Sequence, residues 1–167
     1  SKTKNFVMQS NIDLFFLHDS YLVPLYILVI FIFGYLLANY WKKKHDDYKY
    51  FLNGLFFKIV GASLFCIIYL FYYKGGDTLN YFLGAKCLAK LIMQDFDKGF
   101  HVLFNTESVH KSKWSFNYLT GYPPNYMWKD QNTFSVCRFS TIFYILSSGS
   151  FFVTSFLTAI FSYIGIW

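Results

Sequence analysis

Long runs of apolar residues, separated by short polar stretches, dominate this chain. Residues 21–40 carry no charged side chain, and about 20 apolar residues in a helix cross a hydrocarbon core of about 30 Å. We therefore predict a first transmembrane helix over residues 21–41. A second apolar run predicts a transmembrane helix over residues 50–73.

The last apolar run, residues 134–167, is too long for one ordinary span and is interrupted by Ser147-Ser148-Gly149-Ser150. We predict a short interfacial helix from about residue 135 to 146. A third transmembrane helix is expected from about residue 150 to the end. The whole run 134–167 thus holds two helices.

A polar loop, residues 74–133, separates the second span from the last run. Helical periodicity within it predicts an amphipathic helix over residues 78–96, which we expect along the outer membrane surface. Its apolar residues share one side of the helix: Tyr81, Phe82, Ala85, Leu88, Ala89, Ile92 and Phe96. Lys86, Lys90, Gln94 and Asp97 recur on the other side.

Composition supports a membrane location. The chain is 55% hydrophobic and only 14% charged, against roughly 25% charged residues in soluble domains. The predicted fold class is an all-α, polytopic integral membrane protein with about three transmembrane helices and one amphipathic interfacial helix. We interpret residues 1–167 as a single membrane domain. Because the chain starts without Met and stops inside an apolar run, we expect a fragment of a longer chain.

The distribution of lysine orients these elements. The loop of residues 42–49 carries four lysines, and short lysine-rich loops stay in the cytoplasm. Loop 42–49 is therefore predicted to be cytoplasmic and loop 74–133 periplasmic or extracellular, with the bacterial inner membrane as the expected location. The net charge of +6 is explained by this topology, because the lysines lie beside apolar spans, so no nucleic-acid partner is predicted.

Asp77 lies where the second span ends and the amphipathic helix begins, directly after Gly75-Gly76. One interpretation is a helix cap, whose carboxylate accepts backbone N–H bonds from the following turn. The other is a catalytic general base that takes a proton from a hydroxyl nucleophile at the membrane surface. Both interpretations can hold together.

Two cations are candidates for binding a phosphate. Lys74 precedes Asp77 by three residues and can act as a point charge. Arg138 is the only arginine of the chain, and its planar fork suits phosphate bidentately. Interface anchoring, an ion pair with a loop carboxylate, or contact with lipid headgroups are the alternatives for these cations.

Aromatic residues of the outer loop, Trp114 and Tyr122 among them, have flat faces that can stack on sugar rings. Anchoring at the membrane interface explains them equally well.

The three cysteines lack C-x-x-C spacing, and His101 and His110 are not spaced as a helical ligand pair, so no metal site is predicted. No cofactor is predicted either, although a divalent metal is left open. No P-loop or paired haem ligands are present in the sequence, which argues against ATP-driven and redox roles.

Several short stretches carry a resemblance to a known class. The residues 72–78 (YYKGGDT), the helix starting at Tyr81-Phe82, Arg138-Phe139-Ser140 and residues 161–167 (FSYIGIW) resemble the N-terminal part of polytopic bacterial GT-C-type glycosyltransferases and exopolysaccharide-polymerase-like proteins. The resemblance covers roughly residues 20–167. Because Asp77 follows the second span here and not the first, it implies an extra N-terminal helix.

The resemblance implies a membrane glycosyltransferase or polysaccharide polymerase that uses a polyprenyl-phosphate-linked sugar at the outer face. Asp77 would be the catalytic base, while Lys74 and Arg138 would hold the donor phosphate. Tyr81, Trp114 and Tyr122 would line the substrate cleft. The partners expected are the bilayer, the lipid-linked sugar or polysaccharide, and other membrane subunits. The alternative function is a non-catalytic membrane subunit of a larger complex, organelle-encoded respiratory or secretory, in which Asp77 only caps a helix.

Overall fold

A computed structural model of the chain describes the backbone of residues 2–43, 45–73, 75–104 and 109–167. Side chains are described over the same ranges except for residues 2–18, 109 and 110. Every regular element in these ranges is a helix. The predicted all-α fold class is therefore confirmed.

Seven α-helices follow one another within the described residues. They are α1 (Lys2–Trp41), α2 (Phe51–Ile67), α3 (Asp77–Gln94), α4 (Phe96–Phe104), α5 (Val109–Ser112), α6 (Gln131–Leu146) and α7 (Phe151–Ile164). α2 continues into a π-helical stretch, Ile68–Tyr72. Single 3₁₀ turns occupy Asp46–Tyr50, Lys113–Ser115 and Asn125–Trp128.

Two stretches are long and apolar enough to cross a membrane: Asp19–Trp41 within α1, and Asp46–Tyr72 through α2. They correspond to the predicted spans 21–41 and 50–73. α7 has 14 residues, or about 21 Å of helix at 1.5 Å per residue, so it is too short to be the predicted third span alone. Within the residues that the structure describes, a third candidate span results only if α6 and α7 are counted together as one broken span.

The chain divides into two compact units, and the first comprises Ser1–Cys66 with Ser150–Trp167. Here α1, α2 and α7 pack around a small core consisting of Ile30, Ala38, Phe51, Leu55, Ile59, Phe156 and Tyr163. The Tyr163 hydroxyl also donates a hydrogen bond to the carbonyl oxygen of Phe51, 2.8 Å away. From residue 19 of α1 onward and in α2, most other large apolar side chains are exposed, as expected of helices that are apolar all round and face lipid.

The second unit comprises Ile67–Gly149, and α3 is its central helix, with α4 and α6 packed against it. Two glycines permit this close packing. A Cβ built on Gly84 would lie 2.8 Å from Cys137 Sγ of α6, and one built on Gly99 of α4 would lie 2.5 Å from Ile92 Cα of α3. The core of this unit consists of Leu88, Leu91, Val102, Phe116, Met127, Trp128, Phe134 and Cys137.

α3 occupies nearly the range predicted for the amphipathic helix, 78–96, but ends at Gln94. Asp95 separates α3 from α4 and caps the start of α4. Its carboxylate accepts the backbone N–H of Lys98, 3.1 Å away, in the first turn of α4. The apolar side of α3 is covered by α4 and α6, since Phe82, Ala85, Leu88 and Ala89 are all buried. That side packs against protein, so it is not the surface that α3 would present to a membrane.

Candidate functional site

The turn before α3 depends on a glycine. Gly76 is the N-cap residue and has φ 108°, a left-handed region that glycine adopts at little cost. A Cβ at this position would also lie 2.9 Å from the ring of Tyr69. Gly76 therefore permits the turn between the π-helical stretch Ile68–Tyr72 and α3.

Asp77 is the first residue inside α3, and its side chain is exposed. The N-cap position is held by Gly76, and no side-chain cap hydrogen bond is made there. The carboxylate thus lies at the positive end of the α3 dipole, where an acidic side chain stabilises the helix. Asp77 is therefore not the N-cap residue of α3. Its negative charge instead complements the positive end of the helix dipole.

A small polar cluster forms around this carboxylate. One turn further along α3, the Asn80 side chain is hydrogen-bonded to the Tyr126 hydroxyl, which comes from the 3₁₀ turn Asn125–Trp128. Partial burial raises the pKa of Tyr126, the hydrogen bond with Asn80 opposes that rise, and the negative charge of Asp77 adds to it. Tyr81 also acts on Tyr126 electrostatically. Asp77 and Tyr81 thus lie within electrostatic range of Tyr126 and, with Asn80, form a polar cluster near the start of α3.

Arg138 lies on α6, half-buried, with its guanidinium carbon 4.9 Å from the ring centroid of Phe134. Its Nε and Nη2 atoms are inaccessible to solvent and have no hydrogen-bond partner among the described residues. These two atoms share one edge of the guanidinium plane, the edge that binds carboxylate or phosphate bidentately. A charge-bearing donor pair without an acceptor is costly to bury.

A third donor without an acceptor lies close by. Trp128 is buried, and its Nε1 has no hydrogen-bond partner among the described residues. Its ring centroid lies 5.2 Å from that of Phe134. Trp128 and Arg138 thus both contact Phe134. We call these three residues (Trp128, Phe134, Arg138) the donor-rich cluster. It holds no acceptor for Trp128 Nε1 or for Nε and Nη2 of Arg138.

The predicted site residues are only partly brought together. Asp77 and Tyr81 lie in the same polar cluster, whereas no hydrogen bond or ion pair between Asp77 and Arg138 is present within the described part of the chain. Gly84 packs against Cys137, the neighbour of Arg138, and Asp77 lies about 10 Å further along the α3 axis. Arg138 and Asp77 are therefore parts of neighbouring clusters on the α3–α6 pair.

The two predicted aromatic site residues of the outer loop are strongly exposed. Trp114 is 88% exposed and Tyr122 is 58% exposed, so neither ring is held in a formed cleft of the described protein. Lys74, the other predicted phosphate ligand, lies outside the described residues.

Asn80 is a site residue that the sequence analysis does not identify. Its spacing from Asp77, three residues, is the helical neighbour spacing and is a usable signal. The position of Tyr126 beside Asn80 depends on the chain path through Pro123-Pro124; this pair signals an irregular segment but does not specify which helix the segment packs against. The same path brings Trp128 to Phe134.

The remaining chemistry is limited. No group of three or more His, Cys, Asp or Glu side chains that could hold a metal ion occurs within the described ranges. The comparisons with protein-family models, curated proteins and solved structures find no match to this chain.

Proposed function

We propose that this protein transfers or polymerises sugars from a polyprenyl-phosphate-linked donor at the outer face of the bacterial inner membrane. The observation that carries the proposal is the donor-rich cluster of Trp128, Phe134 and Arg138, in which three buried N–H groups lack an acceptor. A phosphate supplies such acceptors. Two candidate membrane spans in the same chain favour a phosphate that is carried by a lipid.

Arginine geometry favours phosphate over a single-atom ligand. The Nε and Nη2 donors are parallel, so they match two oxygens of one phosphate, and charge-assisted bonds of this kind are about twice as strong as neutral ones. Lys74 is proposed as an additional phosphate ligand. The aromatic face of Phe134 holds the guanidinium by a cation–π contact at 4.9 Å, which keeps the fork oriented.

The Asp77 cluster is proposed to act on the acceptor. The exposed Asp77 carboxylate is accessible to a sugar hydroxyl and would take its proton as a general base. Asn80 and Tyr126 have the hydrogen-bonding groups to orient that sugar. Tyr81, Trp114 and Tyr122 are proposed to contact substrate, the last two through exposed rings that become covered when a saccharide binds.

The orientation of the chain is part of the proposal. Loop 42–49 is placed in the cytoplasm because of its lysines, and the region 74–133 then lies on the periplasmic side. Polyprenyl-phosphate sugars on the outer leaflet would approach Arg138 from that side, and the Nε–Nη2 edge, which is inaccessible to solvent, must be uncovered for the phosphate to bind.

Binding is tested by thermal unfolding of the detergent-solubilised chain with a polyprenyl phosphate. At a ligand concentration of 100 Kd the parent should gain about 2.7 kcal/mol of stability. Arg138→Met should lose this gain and yet be as stable as the parent, or more stable, without lipid, because it removes unpaired buried donors. Lys129→Met, a control at an exposed lysine beside α6, should keep the gain.

Two further ligands make this test selective. A polyprenol without phosphate should give no gain, and a phosphatidate should give less gain than the polyprenyl phosphate. Equal stabilisation of the parent and Arg138→Met would remove the phosphate assignment. A large loss of stability of Arg138→Met without lipid would assign Arg138 a purely structural role.

Transfer is tested with labelled polyprenyl-phosphate sugars in membranes that contain the full-length protein. Asp77→Asn should abolish transfer while the protein still binds polyprenyl phosphate. Asp97→Asn is the matched control, since Asp97 is also an exposed acid in the first turn of a helix, α4. Retained transfer in Asp77→Asn, or absence of lipid-phosphate binding by the parent, would favour the alternative function of a non-catalytic membrane subunit.

A further inference from the structure

α4 has three distinct sides. Gly99 and Val102 are buried, and Leu103 packs against the core of the second unit. Asp97, Lys98 and His101 form the polar side, all of them exposed. Between these two sides lies a stripe of three phenylalanines, Phe96, Phe100 and Phe104, which at about 100° per residue covers about 80° of the helix surface.

The phenylalanine stripe (Phe96, Phe100, Phe104) is continuous and exposed. The ring centroids of Phe96 and Phe100 are 5.5 Å apart, and those of Phe100 and Phe104 are 4.6 Å apart. The three side chains are 64%, 47% and 60% exposed. A helix of a water-soluble surface would not carry such a stripe without a partner.

Other exposed apolar residues lie on neighbouring segments. The 3₁₀ turn Lys113–Ser115 contacts α4, and the Asn117 side chain donates to Gln94 Oε1 at the end of α3, 3.2 Å away. These contacts bring three strongly exposed side chains to the α3–α4 end of the unit. They are Met93, Trp114 and Tyr118, at 77%, 88% and 93% exposure.

We propose that the phenylalanine stripe of α4 inserts into the lipid bilayer, so that α4 and not α3 is the interfacial helix of this protein. Two observations favour the bilayer as the occupant. One is the charge of the second unit, and the other is its connection to a candidate span. Basic side chains outnumber acidic ones among the described residues of the second unit, seven to four, which suits anionic headgroups. The unit also follows directly on a candidate span that ends at Tyr72.

The phenylalanine stripe by itself is smaller than the contact area of a stable dimer. Three phenylalanines at these exposures present about 350 Å² of surface, taking about 200 Å² for each full side chain. A stable dimer buries about 800 Å² on each partner. A lipid interface has no such minimum area, and a single row of aromatic rings suffices to enter the acyl boundary.

The test is nitroxide accessibility in nanodiscs that hold one copy of the chain. Cys66, Cys87 and Cys137 are first replaced by serine, and a label is then attached at Phe100→Cys or Phe104→Cys. The matched controls on the polar side of the same helix are Asp97→Cys and His101→Cys. Circular dichroism and elution volume establish that each labelled protein keeps its fold.

Labels at positions 100 and 104 should collide more often with oxygen than with a water-soluble nickel complex, and labels at 97 and 101 should show the opposite preference. Raising the share of anionic lipid should strengthen the contrast. Equal accessibility to the nickel complex at all four positions would overturn the proposal. Shielding of positions 100 and 104 from both reagents would also overturn it, since that pattern indicates burial against protein.

This proposal does not depend on the proposed function. A sugar-transfer enzyme and a non-catalytic subunit would both give the same accessibility pattern if α4 lies in the interface. Failure of the nitroxide test would leave the polyprenyl-phosphate binding assay unaffected.

Discussion

Asp130 illustrates how one side chain determines where a helix begins. Its carboxylate accepts the backbone N–H of Thr133 at 2.9 Å, the Thr133 hydroxyl at 2.7 Å and the backbone N–H of Asn132 at 3.2 Å. Together these bonds cap the start of α6. Each of them favours the charged form of the acid, so they lower the pKa of Asp130 from the ordinary value of 3.8.

This cap predicts a pH-dependent contribution to stability. Because the pKa of Asp130 is lower in the folded chain than in the unfolded one, the contribution is complete above the unfolded value of 3.8 and is lost as pH falls through the folded pKa. Asn caps helices but does not titrate. The difference in melting temperature between the parent and Asp130→Asn should therefore shrink as pH is lowered from 6 toward about 3.

Thermal unfolding followed by circular dichroism across this pH range measures the effect. Thr133→Val removes one of the three donors and should show a smaller pH dependence than the parent. Identical pH profiles for the parent and Asp130→Asn would contradict the assigned role of the Asp130 carboxylate.

The predictability of single residues depends on the range of their contacts. Gly-Gly before Asp77 is a recognisable turn signal because it acts locally, whereas the sequence analysis expects α6 to begin near residue 135 and does not identify the Asp130 cap. The acceptor-free edge of Arg138 has no such signal. It results from burial of the guanidinium beside Phe134 on α6, which depends on how α6 packs in the second unit.

At the scale of elements, the pairing of α3 and α4 depends on a glycine. Gly99 has no side chain where α4 meets the backbone of α3, and a Cβ there would lie 2.5 Å from Ile92 Cα and 2.7 Å from Ile92 N. Backbone atoms of a packed helix cannot yield as a flexible side chain can. The close approach in turn leaves Phe96, Phe100 and Phe104 outside the contact.

Gly99→Ala should therefore force α4 away from α3. Overpacking of this kind costs about 1–3 kcal/mol, which exceeds the gain of about 1 kcal/mol from the higher helix propensity of alanine. The expected result is a lower melting temperature of the detergent-solubilised chain. The loss should be accompanied by greater mobility of a label at position 100.

Gly61→Ala is the matched control for this substitution. Gly61 is also a helical glycine, but a Cβ there would meet no atom within 4 Å. Its replacement should leave stability unchanged or raise it slightly. A Gly99→Ala protein as stable as the Gly61→Ala protein would show that α4 does not need this close approach.

For the whole molecule, the proposed topology makes a direct prediction. In a background without native cysteines, Lys113→Cys should react with a membrane-impermeant maleimide added to intact spheroplasts. Asp46→Cys should react only after lysis. Both side chains are exposed, so accessibility within the protein does not limit either reaction.

The reverse labelling pattern would place loop 42–49 outside and the second unit in the cytoplasm. That outcome would remove the outer-leaflet donor from the proposed function. It would leave the interfacial placement of α4 open to the same nitroxide test, on the other face of the membrane.

The sequence by itself determined the helical class, the two long candidate spans and the breaks near Gly76 and Ser147, because these follow from apolar run length, periodicity and local backbone preference. Tertiary structure decided which amphipathic side faces protein. The apolar side of α3 has the pattern of a membrane-surface helix, but α6 and α4 cover it, and a periodic pattern cannot distinguish a lipid partner from a protein one. The exposed stripe of α4 and the acceptor-free donors of Trp128 and Arg138 arise in the same way, from contacts between segments distant in sequence.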